Sequence, residues 1–507
     1  MSFFPILDCS EVLYNLPDEI QEDLMAMTPE KEQSIIEFFE RLSFSYQYTR
    51  HVIIPALLLT TVYQGERLSL PMLDPKKFDK EAALPYYLWG LLYEEWKPNP
   101  EQGLSVFIQG YDNRGPDNLR KRIYHSATTF DLYHSQYREK VVEFFDDLLD
   151  TRNIGKPLMR EYLDSYFDLY WNLHLGVAGY DIPIEVREIG MSFNTVLAYL
   201  MPTEKIVYQN YMKVRDLRQL LQDWIDHKIE DVQYERIYNP ERTFVYYWLK
   251  NSHDGTDENF RKEDIAFECF HNFVAFSQWG NTIYNIISRL AKDIGDPEVK
   301  EWFVKTMTSD YDNANYSPFT PLDRFVMELF RTISPNSGSV SCINETNQPL
   351  YDRYGYIVTP HKETSQYDIH WEDPDRFNPD RYITAPTSKE INEVKSREIG
   401  FAQCPFHQEQ FFVRDGRNTQ ITNSAFGTVY GVTNGTASPV CDYAGYAPFG
   451  FGYRRCPGEL FTVEVIKDFL RKVWNERIDF YKLKNASEKV PVGPTAVVVD
   501  DIGFTKP

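Results

Sequence analysis

From Asn118 to Leu329 apolar residues recur at helical spacing with few interruptions, and this block constrains the fold more than any other feature of the chain. Val141 to Leu149, Leu158 to Leu173, Val214 to Ile229 and Asp264 to Leu290 are its clearest segments, parted by turns that carry Pro and Gly. Helices with one apolar stripe each must bury those stripes on one another, so a helical lobe is expected to form the bulk of the molecule. After Pro335 the texture changes to Asn, Ser, Gly and Tyr with little periodicity as far as Pro439, and a last amphipathic helix is predicted from Glu459 to Trp474. Ahead of the block, Asp18 to about Arg50 reads as helix. Val52 to Leu70 is richer in β-branched residues and reads as short strands. The fold class expected is therefore mainly α with a small β lobe (α+β), to which residues 40–75 contribute. With no repeat and no low-complexity linker, residues 1–507 are read as one domain.

Charge and cysteine content narrow the classes of function. A formal net charge of -22 leaves no excess of Lys and Arg to neutralise phosphates, which argues against a nucleic-acid partner. Six cysteines are too sparse for a disulfide scaffold in a chain of 507 residues, and the amino terminus shows no basic region ahead of a long apolar stretch. The early apolar run Val52 to Leu59 contains Pro55 and is too short to span a bilayer, so no transmembrane segment is expected. A soluble, cytoplasmic protein follows, with peripheral membrane contact left open. The Asn-x-Ser/Thr sites at Asn315, Asn344, Asn434 and Asn485 then carry little weight, because glycosylation requires secretion.

The chemistry is concentrated in Phe449-Gly450-Phe451-Gly452-Tyr453-Arg454-Arg455-Cys456-Pro457-Gly458. Cys456 stands just before the predicted Glu459 helix, where the helix dipole and free backbone N–H groups stabilise a thiolate. Gly452 and Gly458 let backbone approach a flat surface where a Cβ would collide. The segment closely resembles the haem-binding loop of the cytochromes P450, Phe-x-x-Gly-x-Arg-x-Cys-x-Gly. Five such fixed positions arise by chance roughly once in ten thousand chains of this size. The resemblance implies haem b as cofactor, with Cys456 as the ligand of the haem iron. It further implies that Arg454 pairs with a propionate and Phe449 shields the sulfur. It also implies a cytochrome P450-like fold.

A second match lies at Glu328-Leu329-Phe330-Arg331, which resembles the family's Glu-x-x-Arg pair; on a helix this spacing puts both side chains on one face. It precedes Pro379-Asp380-Arg381-Tyr382, similar to the family's Pro-x-Arg-Phe segment with Tyr382 in place of Phe. The resemblance implies that Glu328, Arg331 and Arg381 form a buried structural network behind the haem. Arg122, after Asn118, is a further candidate for a propionate; a solvated basic cluster with Arg120 and Lys121 is the alternative.

Three departures from the family pattern stand out. No arginine follows the Glu-x-x-Arg helix where Ser339-Val340-Ser341-Cys342 stands. Residues 383–445 read as an insertion before the cysteine loop, and Cys404 with His407 in it makes at best half a zinc site. The helix expected to cross the distal face reads Phe273-Val274-Ala275-Phe276-Ser277-Gln278-Trp279-Gly280-Asn281-Thr282 and lacks the family's acid-alcohol pair. Ser277, Gln278, Asn281 and Thr282 are the candidates there for ordering water. Packing of a buried central helix is the competing explanation of the same stretch. The run is also partly similar to the Phe-Asn-x-x-Gly-Gly helix of allene oxide synthases and hydroperoxide lyases, with Ser277 where those enzymes keep Asn.

The function the resemblance implies is a haem-thiolate monooxygenase. It would oxidise an apolar small molecule with dioxygen, and a separate reductase or ferredoxin would supply the electrons. A reductant-independent isomerase, lyase or dehydratase acting on a fatty-acid hydroperoxide is the alternative. A non-catalytic haem-binding protein is the third reading, disfavoured by the thiolate, which is the ligand that promotes O–O cleavage.

Overall fold

The computed structural model describes residues 126–199, 205–252, 262–313, 319–333, 365–366, 371–383, 448–449, 456, 458–493 and 496–507. It also gives the backbone of short strands at 52–55, 60–61, 78–79, 338–343, 355–360, 430–433 and 436–439. The long helical block is present as expected. After a one-turn helix (Phe130–Leu132) and a wide π turn (Tyr133–Tyr137) come α1 (Arg138–Leu148), α2 (Leu158–Leu175), α3 (Ile184–Tyr199) and α4 (Lys205–Gln233). Then follow α5 (Phe244–Asn251), α6 (Lys262–Leu290), α7 (Pro297–Thr308), α8 (Pro321–Ile333) and, after the cysteine, α9 (Glu459–Asn475). α4 overruns its predicted span, Val214 to Ile229, at both ends.

Helix boundaries follow local chemistry. α8 opens with a reciprocal cap, in which Thr320 N–H donates to Asp323 Oδ2 at 3.1 Å and Asp323 N–H to Thr320 Oγ1 at 3.0 Å, and Pro321 takes the first helical position. α7 starts on Asp296, whose carboxylate accepts from the N–H groups of Glu298 and Val299. α2 ends on Gly176 at φ 68°, the left-handed position where a Cβ would also meet Ile237.

The β lobe draws on both ends of the chain. A five-stranded antiparallel sheet runs β2-β1-β5-β4-β3, from β1 (Val52–Pro55), β2 (Thr60–Thr61), β3 (Phe78–Asp79), β4 (Gly338–Ile343) and β5 (Gly355–Pro360). Val52 pairs with Val358 and Ile53 with Ile357, so the segment after Pro335 completes the sheet begun near residue 52. β6 (Tyr430–Thr433) and β7 (Thr436–Pro439) form a hairpin within the expected 383–445 insertion; the rest of that stretch, and the helix predicted from Asp18, lie outside the described residues. Near the carboxyl end β8 (Asp479–Lys482) pairs with β11 (Ile502–Thr505), and β9 (Lys489–Gly493) with β10 (Ala496–Val499).

The core is unusually aromatic where the helices converge. Phe461 on α9 is fully buried, stacks on Trp279 of α6 at 5.7 Å and meets Tyr133 and Phe244 edge-on at 5.1 and 5.3 Å. Gly280 is where α6 closes on β9: a Cβ there would stand 2.7 Å from the Val492 carbonyl oxygen. Among the described residues no helix is long and apolar enough to cross a membrane.

Candidate functional site

Cys456 lies just before α9, and its N–H donates to the Phe449 carbonyl at 2.8 Å, closing the loop on itself. The first helical bond runs from Thr462 N–H to Gly458 O at 2.9 Å, so the hydrogen-bonded turns of α9 begin two residues after the cysteine. Cys456 is not in a disulfide and is half-buried. A Cβ added to Gly458 would come within 3.9 Å of its sulfur. Phe449 is buried and meets Phe330 of α8 edge-on at 4.9 Å, which fixes the loop against the Glu-x-x-Arg helix. Cys269, on α6, contrasts with this: burial first, then the charge of Glu268, holds its thiol well above the ordinary range, so it stays protonated and inert. Gly452, Arg454 and Arg122 lie outside the described residues.

Behind the loop the structure brings Glu328, Arg331 and Arg381 together. Arg331 forks onto Glu328 with two bonds of 2.8 Å, and both residues are fully buried. Arg381 Nε adds a bond of 3.0 Å, and the Asn378 N–H one of 2.9 Å, to Glu328 Oε1. The remaining guanidinium protons are spent on carbonyls: Arg331 on those of Ser365, Pro374 and Arg376, Arg381 on those of Glu372, Asp373 and Arg376. Trp371 lies under both guanidinium groups, at 5.2 and 5.6 Å. Burial alone would raise the Glu328 carboxyl; the hydrogen bonds and charge of Arg331, with the charge of Arg381, outweigh it and hold the group below its ordinary value. Tyr382, a departure from the family pattern in the sequence, donates its hydroxyl to Glu328 Oε2 at 2.9 Å.

Sequence reasoning missed a second charged cluster on α9. Lys467 donates to Asp323 of α8 at 2.8 Å and to Glu464 at 3.2 Å, and all three are buried. Asp468 accepts from Tyr133, from both ends of Arg138 and from Arg471, and His134 meets Glu464 at 3.2 Å. Glu464, Lys467, Asp468 and Arg471 recur at helical spacing, a pattern that in sequence reads as a solvated face.

The distal candidates on α6 are placed as follows. Thr282 is buried, and its hydroxyl donates to the Gln278 carbonyl of its own helix at 3.3 Å. Asn281 accepts from Asn285 Nδ2 at both its carbonyl and its side-chain oxygen, at 2.7 and 2.9 Å. Gln278 is half-buried, and the Ser277 side chain lies outside the described residues. The residue that reaches the cysteine helix is Trp279, whose Nε1–H donates to Thr462 Oγ1 at 3.0 Å. Two turns and three turns back on the same face of α6 stand the buried polar side chains of Asn272 and Glu268, which the sequence analysis did not single out, and Asn272 Nδ2 is unpartnered among the described residues. A half-buried thiol at a helix start with a glycine beside its sulfur fits a flat cofactor held by sulfur.

No protein-family model matches the sequence, and no curated protein matches it. Solved structures do. Cytochrome P450SP alpha (CYP152B1) in complex with (R)-ibuprophen is 14% identical over 97% of this chain and 100% of that one, with a TM-score of 0.57. A variant of cytochrome P450 OleT in complex with arachidonic acid is 14% identical over 97% of each chain, at 0.58. Retinoic acid-bound cyanobacterial CYP120A1 is 14% identical over 87% of this chain and 88% of that one, at 0.54. The chain has the cytochrome P450 fold.

Proposed function

We propose that this protein is a haem-thiolate oxidoreductase that oxidises an apolar small molecule, with dioxygen and electrons from a separate partner. The placement of Cys456 carries the reading: a half-buried thiol before α9, in a loop closed on Phe449, within a cytochrome P450 fold. Haem, when bound, supplies an iron whose thiolate ligand promotes O–O cleavage. The rest falls to the chain itself. The α9 dipole stabilises the Cys456 thiolate, Phe449 keeps water from the sulfur, and the Glu328–Arg331–Arg381 network holds α8 behind the loop. Arg454 is proposed as the propionate partner and haem b as the cofactor. Fatty acids are the probe of choice, since solved structures of the same fold are described with arachidonic acid and with myristic acid.

A second reading is favoured by α6, where Asn281 and not a carboxylate directly precedes Thr282 and the Thr282 hydroxyl is spent on its own helix. The substrate would then bring its own O–O bond, and rearrangement of a hydroperoxide would need neither reductant nor proton relay. The experiment is to give haem-loaded protein a polyunsaturated fatty acid with dioxygen and a surrogate reductase, and separately the corresponding hydroperoxide without reductant. Oxygenated product only in the first supports the monooxygenase. Consumption of the conjugated diene in the second, with rearranged products, moves the assignment to the isomerase or lyase, and no turnover in either overturns both.

A further inference from the structure

We infer that Asn272, backed by Glu268, is the distal group that meets a ligand carrying an O–O bond, a role the sequence alone assigned to Ser277, Gln278, Asn281 and Thr282. The inference rests on the haem-thiolate reading above. It starts from helical geometry. With about 3.6 residues per turn, positions seven and eleven residues back from a reference point on an α-helix lie on nearly the same face as it. On α6 the reference is Trp279, tied to the cysteine helix by its hydrogen bond to Thr462 and its stack on Phe461. Asn272 and Glu268 are the residues at those two spacings, 4% and 0% exposed.

The flank of α6 beside this face is occupied by α2, whose Tyr166 also meets Trp279 edge-on at 6.5 Å. Tyr166 and Tyr170 of α2 donate their hydroxyls to the Phe273 and Cys269 carbonyls, and Phe270 and Phe273 share a small apolar cavity with Trp171, Val186 and Phe193. Asn281 stands on the side away from Trp279 and is engaged with Asn285. Asn272 Nδ2 is a buried donor with no partner among the described residues, and leaving such a group unpaired costs enough that a bound ligand atom is its natural acceptor. A carboxylate one turn further along disfavours an anionic ligand there and favours a neutral group with a hydrogen to give. A hydroperoxide meets both conditions, its oxygen lone pairs accepting from the Asn272 amide and its O–H donating to Glu268, whereas dioxygen meets the first alone.

The test uses haem-loaded full chain and two probes, carbon monoxide on the reduced protein and hydrogen peroxide on the oxidised one. Infrared spectra of the carbon monoxide complex report a donor at the ligand directly, because losing it raises the C–O stretching frequency. Asn272→Leu is expected to shift that band upward and to slow the reaction with hydrogen peroxide roughly tenfold, the loss of one hydrogen bond. Glu268→Gln is expected to slow the peroxide reaction, and Thr282→Val to leave both readouts unchanged. An unmoved band in Asn272→Leu, or a shifted one in Thr282→Val, overturns the inference. Failure of the underlying reading is seen separately, as a wild-type carbon monoxide complex without the long-wavelength Soret band of thiolate ligation.

Discussion

Tyr382 donates its phenolic hydrogen to Glu328 Oε2 at 2.9 Å and so completes the shell of a carboxylate that has no access to water. Arg331, Arg381 and the Asn378 amide supply the other donors. Replacing Tyr382 with Phe keeps the ring against Trp371, 6.0 Å away, and deletes one bond to a charged acceptor. The expected loss is about 2 kcal/mol, read from the midpoint of urea unfolding of haem-loaded protein. An unchanged midpoint would show that the hydroxyl contributes nothing and that Phe would serve as well.

The α9 cluster predicts a coupling that single substitutions alone would hide. Lys467→Met strands Asp323 and Glu464 without their shared cation, at a cost of roughly 3–5 kcal/mol. Adding Asp323→Asn removes one stranded charge while its side-chain oxygen still accepts from Thr320 N–H, so the double variant should recover part of the loss. Strictly additive losses in a double-mutant cycle would mean that Lys467 and Asp323 do not interact across α8 and α9.

Acid sensitivity follows from Glu328 and Asp468. Burial would raise each carboxyl, but Arg331 and Arg381 hold Glu328 below its ordinary value, and Arg138, Arg471 and Tyr133 do the same for Asp468. A carboxyl depressed in the folded state adds stability that is fully present above its unfolded pKa. That stability is lost as pH falls through the folded pKa. Unfolding titrations should therefore show stability falling as pH drops below about 4, with the slope reduced in a variant carrying Asp468→Asn. A slope identical in wild type and variant would exclude Asp468 from the linkage.

Much of this was legible before any coordinates, for identifiable reasons. The Phe449 to Gly458 segment and the Glu328–Arg331 spacing are local patterns, readable wherever they occur, and the structure brings Glu328, Arg331 and Arg381 to one point. The helices of the middle block were readable because each buries a single stripe. What stayed hidden depends on partners distant in sequence. β4 and β5 sit in a segment of weak periodicity and become strands by pairing with residues near 52. The charged residues of α9 looked solvated because their counter-charges, Asp323 and Arg138, lie far back in the chain. On α6 the polar run visible in the sequence begins at Ser277, whereas the bond of Trp279 to Thr462 is a tertiary contact that no local spacing encodes.

The most direct test of the account is the absorption spectrum of the reduced, carbon monoxide-bound, haem-loaded protein, recorded for the wild type and for Cys456→Ser. The long-wavelength Soret band should be present in the first and absent in the second while the far-ultraviolet helical signal is retained. Survival of that band in Cys456→Ser would mean that another residue ligates the iron, and the functional reading built on Cys456 would fall with it.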